Sequence, residues 1–90
     1  MDRWEFAKHM KELRTKKKLT QAQVANHLGL QKSQSVANWE SGRVKFPEKY
    51  VTPFCELVGA DRNRFVEQLA KLRKDELLAK FPNKKNSKIA

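Results

Sequence analysis

Cysteine occurs once in these 90 residues, at Cys55, so no disulfide can close within the chain. A disulfide-stapled fold is excluded, and a reducing cytoplasm is the expected setting. Histidine is almost as scarce: His9 and His27 stand eighteen positions apart, with no cysteine set to complete a metal site. Glycine and proline number three each, and each stands where a helix would start, stop or bend. No apolar run approaches the length of a transmembrane helix, and the N-terminus lacks the apolar core of a signal peptide. A soluble intracellular protein with no membrane contact is therefore expected. There is no internal repeat, no glycine-rich phosphate loop, and no nucleophile with a matching base. Neither catalysis nor a cofactor is implied.

Acidic residues are also few, ten against twenty lysines and arginines, for a net charge of +10. A surplus of this size points to an anionic polymer or surface as partner, although lysine-rich surfaces also serve solubility. Hydrophobic residues make up 39% and charged residues 33%, a globular composition. Ninety residues suffice for one small core and leave little for a deep catalytic pocket.

The most informative stretch is LTQAQVANHLGLQKSQSVANWESG, from Leu19 to Gly42. Thr20 followed by Gln23 has the spacing of a capping box, which predicts a helix start. Val24, Ala25 and Leu28 recur on one helical face, and Gly29 can take the positive φ that ends a helix. Val36 and Trp39, three apart, anchor a second short helix by one apolar edge. Its other edge offers Ser33, Gln34, Ser35 and Asn38, side chains that both donate and accept hydrogen bonds. Such an edge suits the reading of bases, and an ordinary exposed helix face is the plain alternative.

A first helix is predicted from Asp2 to about Lys17, with Asp2 and Glu5 as its capping box. Phe6, Met10 and Leu13, with Trp4 and Ala7 widening the face, are expected in the core. The triplet Lys16 to Lys18 reads equally as a solvated helix end or as phosphate contact, with Lys17 as the candidate. Pro47 and Glu48 suit the start of a fourth helix whose apolar face is Tyr50, Val51, Phe54, Leu57 and Val58. Pro53 should kink or split it near Thr52 unless that proline opens a helix of its own. Asp61 caps a last helix over about 62 to 80, where Phe65, Val66, Leu69 and Leu72 are expected to close the core. Leu77, Leu78 and Phe81 are left on its extension as a partner surface, a second copy being the first candidate, or they fold back on their own domain. Pro82 stops the helix, and 82–90 is a basic tail expected to lack order.

The ordered set Arg14, Leu19-Thr20-Gln21, Ala25, Gly29, Val36, Trp39 to Gly42 and Pro47 resembles the helix-turn-helix of the Cro/phage-repressor (XRE) family of bacterial and phage transcriptional regulators, over about residues 6 to 65. The resemblance implies an all-α, five-helix, lambda-repressor-like domain, here 1–81 with an extended C-terminal helix, that binds double-stranded DNA as a homodimer. It implies an ion pair between Arg14 and Glu40. It implies phosphate contacts from Gln21, which also braces the start of the recognition helix, and from Ser41, Arg43 and Lys45.

Between Gly29 and Trp39 the chain carries one residue more than the usual family pattern. Aligned from the Trp39 end, the extra residue falls near Gln31, and Lys32, Ser33, Gln34 and Ser35 open the recognition helix, with Asn38 a turn later. Ser33 can then serve as cap. The other alignment shifts every base-contacting role by one position. Two other functions stay open: an antitoxin-like module that also holds a protein partner through Leu77 to Phe81, and a non-specific nucleic-acid or polymerase-bridging protein that acts by charge.

Overall fold

The computed structural model describes residues 2–81, and every regular element among them is helical. In chain order these are α1 (Arg3–Lys16), α2 (Gln21–His27), α3 (Gln34–Glu40), a 3₁₀ turn (Glu48–Tyr50), α4 (Val51–Val58) and α5 (Arg62–Lys80). The segment 82–90, with Pro82 and the predicted tail, lies outside the described residues.

Local hydrogen bonds set the helix starts. The Glu5 amide donates to Asp2 Oδ1 at 2.8 Å, and the Asp2 amide returns a bond to Glu5 Oε1 at 2.9 Å. Thr20 and Gln23 repeat the arrangement at 3.0 and 2.8 Å. Each box satisfies two of the amides that a helix start leaves without intrahelical partners. Asp61 accepts from the amides of Asn63 and Arg64 to begin α5.

The helix ends are equally local. Gly29 has φ +76°, and the Leu30 amide reaches back to the Ala25 carbonyl at 2.8 Å, which is a Schellman closure. Lys18 does the same work at the end of α1 with φ +59°, although its Cβ makes that conformation costly.

Packing joins α1 to α3 and α5, α2 to α3 and α4, and α4 to α5. Met10, Val24, Val36 and Phe54 are fully buried, and Phe65 is nearly so. Phe46, in the loop after α3, is buried at the centre of an aromatic cluster. Its ring lies 5.1 Å from Trp39 and 5.6 Å from both Phe54 and Phe65, within the range where edge-to-face contacts add to burial. Cys55 is buried among apolar neighbours. Burial pushes its thiol pKa up, with Arg62 opposing and Asp61 adding to the shift.

Two predicted core residues are outside the core. Trp4 is 70% exposed and Val66 45% exposed. Trp4 stands two residues from Phe6, roughly 200° round the helix, and Val66 stands about 100° from Phe65. α1 and α5 each have one covered face, and these residues fall beyond its edge. The proline-bearing segment is split, as Pro53 led one to expect, with the division between Tyr50 and Val51. The chain turns once as 3₁₀ and starts α4 at Val51, so Pro53 occupies the third position of α4, where a missing N–H breaks no intrahelical bond.

Candidate nucleic-acid interface

α2 and α3 hold each other through Val24 and Ala25 on one side and Val36 and Trp39 on the other, all buried. With seven residues each, neither helix would persist alone. Their mutual orientation therefore comes from this packing and from one buried polar knot.

The knot centres on Glu40. Arg14 donates from Nε to Oε2 at 2.6 Å and from Nη2 to Oε1 at 2.9 Å, the bidentate geometry that suits guanidinium and carboxylate. Nη1 of Arg14 donates to the Leu19 carbonyl at 2.7 Å, and the Gln21 amide donates to Glu40 Oε1 at 3.1 Å. Side-chain exposure is 9% for Arg14 and 3% for Glu40. The Glu40 carboxylate at the last residue of α3 thus fastens α1 and α2, and through Arg14 the turn between them.

This geometry corrects one expectation: Gln21 braces the end of α3, not its start. Ser33 also differs. It lies in helical conformation before Gln34 and makes no side-chain capping bond, because a cap needs extended backbone to turn its hydroxyl onto the helix amides.

With Val36 and Trp39 turned inward, the opposite edge of α3 carries Gln34 and Asn38. Gln34 is exposed and Asn38 half-buried. The Gln34 amide donates to Asn38 Oδ1 at 3.0 Å. Lys32 is exposed just before the helix, while Ser33 and Ser35 are half-buried on its flanks.

The loop that follows folds onto the same end of α3. The Asn38 carbonyl accepts from Ser41 Oγ at 3.1 Å and from the amides of Arg43 and Val44 at 3.0 and 3.3 Å. Gly42, at φ +76°, makes this reversal possible. Arg43 and Lys45 leave it exposed. The structure therefore gathers Gln34, Asn38, Ser41 and Arg43 at one edge. Lys17 stands elsewhere: its ammonium lies 3.2 Å from where a Cβ on Gly59 would be, over the carbonyl end of α4, where a cation is favoured by the dipole.

On α5, Leu77, Leu78 and Phe81 are 57%, 56% and 70% exposed. With Val66 and Ala70 they line an open apolar groove of about 690 Å³. Arg73, unremarked in the sequence, lies at its rim, donates to the Phe46 carbonyl at 3.0 Å and pairs with Glu48 at 2.9 Å. Arg3 pairs with Glu76 at 2.9 Å. Neither pair has a sequence signal, because 25 and 73 positions separate the partners. No helix among the described residues is long and apolar enough to cross a membrane.

A protein-family model described as a helix-turn-helix domain matches residues 5–68, from the first turn of α1 into α5. No curated protein matches the chain.

Proposed function

Because the chain belongs to the helix-turn-helix domain family, we propose that it is a sequence-specific DNA-binding transcriptional regulator of the Cro/repressor type. It acts as a repressor by occupying operator half-sites as a dimer and limiting polymerase access. One observation carries this reading: α3 buries Val36 and Trp39 and leaves the Gln34 and Asn38 amides on the opposite, accessible edge. A helix in the major groove brings such side chains to base edges, where an amide can make two hydrogen bonds to adenine.

In this reading Gln34 is the principal base reader, with Asn38 beside it. Lys32, Ser33 and Ser35 flank them. Ser41, Arg43 and Lys45 hold the phosphates next to the loop, and Gln21 and Lys17 are the more distant backbone candidates. Phosphate contacts set position without reading sequence. The net charge of +10 supports them, since each neutralised phosphate releases counterions. The apolar groove on α5 supplies the dimer contact. Occupation of that groove by a different protein is the antitoxin-like alternative, and the exposure of Leu77, Leu78 and Phe81 is what favours it.

The test is selection of bound duplexes from a random pool at fixed salt, repeated with Gln34→Ala. The expected loss on the preferred duplex is about 1–3 kcal/mol, with relaxed discrimination at one base pair. An equal loss on every duplex would remove Gln34 as a reader of sequence. A parent protein with no preference in the pool would leave only charge-driven binding.

A further inference from the structure

The two tryptophans have opposite environments: Trp39 is 4% exposed and Trp4 70%. An indole left in water is a large apolar surface without cover. Its position gives it a use. A Cβ on Gly42 would lie 3.8 Å from Trp4 Cδ2 and 3.7 Å from Arg3 Cγ, so the first turn of α1 is packed under the loop between Ser41 and Arg43. Those two residues are proposed phosphate contacts, and the indole is therefore at the border of the DNA-facing surface.

The border continues along α1. Lys8 and Lys11 follow Trp4 at i+4 and i+7, on the same side of the helix. Both are exposed. Among the described residues neither side chain takes part in an ion pair or hydrogen bond. An aromatic ring with an N–H at its rim, followed by two unpaired ammonium groups, has the chemistry of a strip that follows a sugar-phosphate backbone.

We infer that Trp4, Lys8 and Lys11 form a second strip of the DNA interface, contacting the backbone beyond the phosphates held by the loop of Ser41 to Lys45. The inference rests on the DNA-binding reading. In the strip the indole covers a deoxyribose and its N–H donates to a phosphate oxygen, while the two lysines meet neighbouring phosphates. The strip adds affinity without discrimination.

The experiment is acrylamide quenching of tryptophan fluorescence in the full chain, free and saturated with a selected duplex or an unrelated one at low salt. Trp4→Phe, which keeps a ring under Gly42, identifies the share of the signal from Trp4. The accessible component is expected to disappear on either duplex, and Trp4→Phe is expected to weaken both by the same factor, about tenfold. Lys8→Ala with Lys11→Ala should lower the slope of log affinity against log salt by about 2. If the protein binds DNA while Trp4 remains as quenchable as in the free chain, the strip is overturned and the regulator reading stands. If no duplex is bound, both fall together.

Discussion

Glu40 is nearly enclosed, and its two oxygens are shared among three donors from α1 and α2. Removing it strands a buried guanidinium, and that loss is much larger than what the pair contributes against an apolar substitute. Glu40→Ala should therefore lose about 3–5 kcal/mol in urea unfolding, a large part of what a domain this size holds. Arg14→Met combined with Glu40→Leu should return the stability to within about 1 kcal/mol of the parent, or above it. A single-mutant loss below about 1 kcal/mol would mean that water reaches the carboxylate. The double variant separates stability from placement: it keeps a filled interior but releases Gln21, so DNA affinity should stay reduced after stability is regained.

Among the elements, α4 offers the sharpest test, because a helix interior and a first turn give Pro53 opposite effects on stability. Inside a helix it would cost about 3 kcal/mol, and its replacement by alanine would stabilise the protein by a similar amount. At the third position of α4 it costs no hydrogen bond and restricts the unfolded chain, so Pro53→Ala should lower stability by about 0.5–1 kcal/mol. A rise in thermal midpoint would place the proline in a helix interior.

What was legible in the sequence follows the same logic of distance along the chain. The capping boxes of α1 and α2 and the Gly29 stop involve residues within a few positions of one another, and the sequence shows them directly. The Arg14 to Glu40 pair spans 26 positions and was reachable only through family resemblance. The exposure of Trp4 and Val66, the burial of Phe46 and the role of Arg73 depend on which face another helix covers. Periodicity finds an apolar stripe but not how much of its width is used. On the polar edge of α3, residue types pointed to Gln34 and Asn38, but the bond that joins them and the uncapped Ser33 depend on backbone geometry that residue types do not carry.

For the molecule as a whole, the family match stops at residue 68, while α5 runs on to Lys80 with Leu77 and Leu78 exposed. If that extension joins two copies, light scattering should give about twice the 10.5 kDa chain mass, and Leu77→Glu should return it to a single chain. The variant should also lose affinity for a paired site while holding a lone half-site unchanged. A parent of single-chain mass at DNA-binding concentrations would rule out the dimer. Arg73 gives this surface a longer reach. Its guanidinium holds the Phe46 carbonyl and Glu48 while its own helix borders the groove, so an occupant that recruits Arg73 must release the backbone next to Lys45. Were DNA to pin this loop while a partner filled the groove, linkage would run both ways, each changing the other's affinity by the same factor.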